Sequence, residues 1–507
     1  MRSLAGNTHR KHLHLTAIFA FTGLEAGSVH GQRSGRPGDD YLSRLDSQGA
    51  EVMLRAAERA GHHVGASLAR VAIHRGHPKI ALRLLDHAAS EGPAEEVREL
   101  RGVAVGLLHA TDGALERTTD DQALRVQFQQ AGDVALLPWL HETVVAARRL
   151  TAETMGYTWA APTYFVLVRD QQTLSESTGL PYESARTTGT VAIAKWGRVT
   201  MLSPRAREGE LAWRDTIVHE IAHLALTAVT GDSAPLWLQE GMAKDMEIRW
   251  REATRFDDSP APEVLVREAD AKGELMSLDK LGPSVAMLPS ARAAGFAFAA
   301  ATSFVRHLRG ELGPARWNAY LQTIGATRGQ DPLLEATGKT FSTWQNAWLS
   351  SIRRTVKAPS ASAAAVDDGE QSVARRTRLA RLLVDRGHGD AALQELARLP
   401  DNERQKRSRE GGWLTLHALA HEQRRANDAL DAVLYDVAPE SEPLAPWYRL
   451  RARRDEARGE TSEARFAREK AVNREPFAPG AVCEEGRTGR ESLLCDEARR
   501  RMQPSVD

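Results

Sequence analysis

The chain has little of four things, and each scarcity narrows its class. Only two of its 507 residues are cysteine, Cys483 and Cys495, both near the end. That excludes a disulfide-dense framework and any metal site built on thiolates, so a bound metal must be held by histidine and carboxylate. If the protein is exported, the two could pair and staple the tail; in a reducing compartment they stay free thiols. No sign of charge dominates: 67 Lys and Arg face 67 Asp and Glu. There is thus no global basic field for nucleic acid and no acidic solvating tail. Long apolar runs are missing as well. The richest internal stretch, "AAGFAFAAATSFV" from Ala293, falls short of the ~20 residues that a membrane span needs and reads as a buried helix. Aromatic residues make up 6% of the chain, and that poverty, beside abundant Ala, Leu, Arg and Glu, favours helix over sheet.

What is present has an order. The length exceeds what one core supports, and about two to four domains are expected. Residues 1–31 carry Arg2, Arg10 and Lys11, then an apolar stretch from Leu13 to Leu24, then small residues with Val29 and Gly31 before a cut. This is the order of a secretory signal peptide, predicting a periplasmic or secreted protein, with an N-terminal extension as the alternative. Residues 39–112 have helical spacing, and "LARVAIHRGHPKIALRLLDHA" (Leu68 to Ala88) reads as two helices joined at Gly76. A similar stretch recurs at Leu379 to Leu399, "LARLLVDRGHGDAALQELARL", and further units begin at Trp413 and Trp447. Ala81, Ala392, Ala429 and Ala464 hold the corresponding small-residue positions. The C-terminal recurrence of about 35 residues over 373–480 resembles degenerate tetratricopeptide-like repeats, whose helical hairpins stack into a solenoid that binds peptides or proteins. Unrelated Ala-rich hairpins are the alternative. A Pro/Ala/Ser-rich linker at 356–372 precedes these units, and a cysteine-containing tail at 481–507 follows.

Between the flanks, over 115–355, the texture changes. A long helix from about Leu136 to Met155 leads into short β-branched runs, Pro162 to Val168, Thr190 to Lys195 and Arg198 to Ser203, which read as strands. Then comes "TIVHEIAHLAL" from Thr216. On a helix, His219 and His223 project from one face toward one ion, and Glu220, turned by about 100°, reaches a water without ligating the metal. Ile217, Val218, Ile221, Ala222 and Leu224 make the rest of the turn apolar, as a helix buried behind a site requires. Tetrahedral catalytic zinc takes three protein ligands and one water, so a third ligand is needed. "APLWLQEGMAKDME" offers Glu240, which a turn at "GDSAP" and a second helix would bring back over the histidines.

With those residues in place, the segment from about Leu124 to Arg354 resembles the gluzincin metallopeptidases, and within them the bacterial peptidase MA-like domains. The pieces that carry the resemblance are "YFVLV", "TGLP" at Thr178 to Pro181, "VTMLSP", "VHEIAHLAL", "PLWLQEGMA", "SFVRHL" at Ser303 and "FSTWQNAWL". The resemblance implies one Zn2+ per chain on His219, His223 and Glu240, Glu220 as general base, and the strand "RVTMLS" as the sheet edge along which a peptide substrate lies. It also exposes a departure. Related domains often place a Tyr, a candidate oxyanion stabiliser, where this chain has Phe298, which has no hydrogen to donate. His307 and Tyr320 are candidate substitutes. Asp215, Asp245 and Glu247 are candidate carboxylate partners for the histidines.

The expected fold is therefore mainly α, with a central α+β zincin-like metallopeptidase domain, a small sheet plus an active-site helix, and flanking α-helical repeats. The expected function is a zinc-dependent peptidase acting on a peptide or protein substrate, with a further protein partner on the repeats. The alternative is a catalytically weak or inactive zinc-binding domain within a helical-repeat scaffold.

Overall fold

In a computed structural model the chain is described for residues 38–88, 94–206, 212–251, 260–281, 285, 288, 291–326, 331–357, 368–408, 410–437, 443–476 and 495–496. The expected signal peptide at 1–31, most of the expected linker at 356–372 and Cys483 lie outside these residues. The architecture is mainly helical with one small mixed five-stranded sheet.

Five helices open the described chain: α1 (Asp39–Leu42), α2 (Ser47–Arg59), α3 (Gly65–His74), α4 (Pro78–Ala88) and α5 (Ala94–Thr111). α3 and α4 form the expected hairpin with Gly76 at its corner, and Ala81 is fully buried where the two meet. The sheet follows, built from β1 (Leu115–Thr118), β2 (Leu124–Phe128), β3 (Thr163–Val168), β4 (Ala192–Lys195) and β5 (Arg198–Leu202). Between strands run α6 (Leu137–Met155), α7 (Gln171–Thr178) and α8 (Tyr182–Thr188). The three stretches with strand-like texture are β3, β4 and β5. β1 and β2 are short and carry charged residues, which hid them.

The strand order is β1-β2-β3-β5-β4, with β2, β3 and β5 parallel and both outer strands antiparallel to their neighbours. This corrects one expectation. "RVTMLS" is not the sheet edge: β5 lies between β3 and β4 and every residue of it is buried. The edge on that side is β4: a two-residue turn through Trp196 and Gly197, both at positive φ, pairs it with β5, whose other side is taken by β3. Trp196 tolerates the left-handed backbone because its indole N–H donates to the Thr178 carbonyl at 3.1 Å and its ring stands edge-on to His74 at 6.0 Å. Next to it Arg198, fully buried, donates to the carbonyls of Ile73 (2.9 Å) and Ser177 (3.0 Å). The β4–β5 hairpin is thereby fixed to the N-terminal helices.

After the sheet come α9 (Trp213–Thr230), α10 (Leu236–Arg249), α11 (Pro262–Lys272), α12 (Ala291–Ala326, kinked at Gly313), α13 (Pro332–Thr337) and α14 (Phe341–Thr355). The C-terminal helices are α15 (Asp368–Asp385), α16 (Gly389–Ala397), α17 (Asp401–Arg407), α18 (Gly411–Gln423), α19 (Asn427–Tyr435), α20 (Ala445–Ala457) and α21 (Thr461–Arg474). Ala392 and Ala464 are fully buried at their helix contacts, while Ala429 is only half-buried. The main hydrophobic core does not stop at the central segment: Leu430, Trp447, Tyr448 and Ala471 join the cluster that holds the sheet and α9. Cys495 belongs to it as well, disulfide-bonded and 7% exposed. No helix among the described residues is long and apolar enough to cross a membrane.

Candidate metal centre

α9 is apolar nearly all round, so it is enclosed rather than amphipathic. β4 and β5 lie against it on one side and α6, α10 and α12 on others. It ends at Gly231, and Gly231 and Asp232, both at positive φ, reverse the chain. Pro235 then precedes α10, which carries Glu240 in its second turn back over the histidines. The helix pair can close only because of Gly241. A β-carbon there would run into the Ala301 carbonyl and stand 2.7 Å from Val305 Cγ2, so α10 packs on α12 with no side chain between.

The resulting triangle is tight. His219 Nε2 and His223 Nε2 are 3.0 Å apart, and each is 3.8 Å from Glu240 Oε2. Ligand atoms at ~2.0–2.1 Å around a tetrahedral zinc are ~3.3 Å apart, close to these edges. All three residues are at most 1% exposed. His219 donates its Nδ1–H to Glu247 (2.6 Å), and His223 donates its own to the side-chain oxygen of Gln239 (3.2 Å). Those two bonds leave both Nε2 atoms as lone pairs facing each other and the carboxylate. Glu240 Oε2 has no hydrogen-bond partner. Three buried acceptors aimed at one point repel unless a cation or a proton lies between them, and the donor set suits zinc.

The electrostatics agree. Burial pushes Glu240 well above the usual carboxylate range, and the nearby Glu220 adds to the effect. Burial lowers His219, and burial with the charge of His219 lowers His223 to about 3. The Glu220 carboxyl is raised to about 8, chiefly by burial, with the Ala194 N–H of edge strand β4 pulling it down and Glu247 pushing it up. Neither Glu220 oxygen makes a hydrogen bond of good geometry. Glu247 differs: burial would raise it, but Lys244, 2.9 Å away, and His219 more than offset that and hold it anionic.

Of the three acids considered as partners for the histidines, Glu247 takes the place. Asp215 instead accepts from Trp250 and Arg251, and Asp245 is clamped by Arg249, Arg306 and Arg309. None of the three is merely solvated. Gln239 was not foreseen, although its place immediately before Glu240, a quarter-turn toward His223, is the available signal. Phe298 is buried on α12, with Lys244 Nζ, which pairs with Glu247, 5.5 Å from its ring centre. Tyr320 packs on Trp317 and His307 on Trp344. Comparison with known protein families and with curated proteins finds no match for this chain.

Proposed function

We propose that this chain is a zinc-dependent peptidase of gluzincin type, exported, acting on a peptide or protein substrate. The observation that carries the reading is the convergence of the two bare Nε2 atoms and the unpartnered Glu240 oxygen, with a second unpartnered carboxylate, Glu220, beside them. His219, His223 and Glu240 would hold the metal. When bound, zinc supplies Lewis acidity and brings a water to a pKa near ~7. A cation beside Glu220 favours its ionised form again, which suits it as a base.

In hydrolysis Glu220 takes a proton from the attacking water and returns it to the leaving amine nitrogen. The backbone of β4, which brings the Ala194 N–H to Glu220, gives an extended substrate a strand to pair with. Glu247 and Gln239 keep the two imidazoles in the Nδ1–H tautomer and fix their ring planes. The disulfide at Cys495 supports an oxidising compartment and hence export.

Phe298 favours a second reading, a zinc-binding scaffold of weak or no activity, because its ring donates no hydrogen bond where the family resemblance implies a Tyr. The two are separated by elemental analysis and peptide-library hydrolysis on wild type, Glu240→Ala and Glu220→Gln. About one zinc per chain, lost in Glu240→Ala, with cleavage abolished but zinc kept in Glu220→Gln, is the expected result. Zinc without cleavage in wild type selects the scaffold. Cleavage that survives Glu220→Gln removes the general base, and wild type without metal removes both readings.

A further inference from the structure

α9 starts without the usual fastening. Ala212 stands at its N-cap and offers no side-chain acceptor to the free N–H groups of the first turn. His219 is only two turns further on, so a loose start would carry straight to the metal triangle. What holds the start comes from elsewhere in the chain. Arg214, 1% exposed at its side chain, donates to Thr143 Oγ1 (2.7 Å) and Glu142 (2.9 Å) on α6. Its remaining nitrogen donates to Glu469 (3.3 Å) and Asn473 (3.4 Å) on α21. The guanidinium also lies 4.7 Å over the Trp250 ring at the end of α10. Asp215, the next residue, accepts from Trp250 and from both ends of the Arg251 fork, and feels the charge of Lys470 on α21.

One guanidinium thus joins four helices: α6, α9, the end of α10 and α21. The planar fork matters, because a lysine at this place could not reach both α6 and α21. The location on α21 matters too, because α21 belongs to the C-terminal helical hairpins, the part of the chain that was expected to be an interaction module beside the catalytic unit. We infer that Arg214 is a positioning residue for the metal centre, and that α21, through Glu469 and Asn473, sets the affinity of the His219, His223 and Glu240 site for a divalent cation.

This rests on the proposed metal site, and the test keeps the two apart. Zinc affinity is measured by chelator competition on the full chain, and amide hydrogen exchange over residues 213–219 is followed in metal-free protein. The variants are Glu469→Ala/Asn473→Ala, Glu469→Gln, Arg214→Lys and, as a control, Arg449→Ala. The control breaks the contact of Arg449 with Glu475 and touches α9 nowhere. Glu469 is 52% exposed at its side chain, and the melting temperature of each variant is recorded to establish that it folds. The double alanine variant and Arg214→Lys should bind zinc more weakly, by less than the ~10–100-fold seen when a residue bonded directly to a metal ligand is lost. Both should also exchange the start of α9 faster. Glu469→Gln keeps an acceptor for Arg214 and should retain the wild-type affinity, and the control should change neither readout. A purely structural α21 would lower the melting temperature in all variants and leave zinc affinity alone, which overturns the inference. If wild type binds no zinc, the proposed function fails instead. The exchange data then decide the coupling by themselves, with unchanged rates at 213–219 overturning it.

Discussion

Replacing Glu240 by Gln should stabilise the metal-free protein while abolishing its response to zinc. Without a cation, Glu240 either stays ionised as a buried acceptor 3.8 Å from each of two imidazole lone pairs or takes up a proton at the cost that its raised pKa measures, and an amide avoids both. An amide of equal size can turn an N–H toward those lone pairs. An unsatisfied buried polar group costs about 1–3 kcal/mol, and most of that should be recovered in Glu240→Gln. Zinc at a hundred times its dissociation constant should add about 2.7 kcal/mol to wild type and almost nothing to the variant. For a unit of the size of the central segment, 1 kcal/mol moves the midpoint by about 2–4 °C. The assay is thermal unfolding of both proteins at pH 7, with EDTA and then with saturating zinc. The expected order in EDTA is variant above wild type, and in zinc the reverse. A variant that melts below wild type in EDTA, or that gains as much from zinc, would refute the argument that three acceptors converge on one cation.

Three further outcomes follow from other contacts. Gly241→Ala forces a methyl against the Ala301 carbonyl, so it should cost about 1–3 kcal/mol in unfolding experiments and weaken zinc binding by displacing Glu240. His74 is lowered to about 3 by burial and then by the charges of Arg198 and Arg70. It is therefore neutral in the fold but takes up a proton on unfolding below its ordinary value of 6.5, so stability falls as pH falls through that range. The full linkage is about 2 kcal/mol between pH 7 and 5, trimmed to about 1 kcal/mol by its residual solvent contact, and His74→Phe should flatten that slope in urea titrations at both pH values. On the proposed peptidase reading, Phe298→Tyr supplies the hydroxyl that the family resemblance implies; if wild type cleaves slowly, the variant should raise kcat by about tenfold or more at unchanged zinc content, read on the best library peptide.

The convergence of His219, His223 and Glu240 was legible because it is local. The four-residue spacing of His219 and His223, the apolar turn around them and the short path to Glu240 are all set within about two helices. The strands β3, β4 and β5 were legible for the same reason, each a short β-branched run between turns. Their lateral order was not, since pairing joins residues far apart in the chain, and the Trp196–Gly197 turn that pairs β4 with β5 uses a tryptophan where such turns usually take Asn or Gly. β1, "LERT", has the composition of a helix end and becomes a strand only beside β2. Glu247 could be named as one acid among three, but only the packed structure chooses it over Asp215 and Asp245. The contacts of Arg214 were invisible, because its partners on α21 lie more than 250 residues away.

That separation also has a consequence in time. The contact between Arg214 and Glu469 spans 255 residues, and a ribosome adds about 5–20 residues per second. For roughly 10–50 s after His219 and His223 have been made, the growing chain has the start of α9 but not the helix whose Glu469 and Asn473 meet Arg214. On the proposed metal and positioning roles, a cation met before α21 is made would be held less securely, and a chain that folds only after export would meet it with α21 already in place.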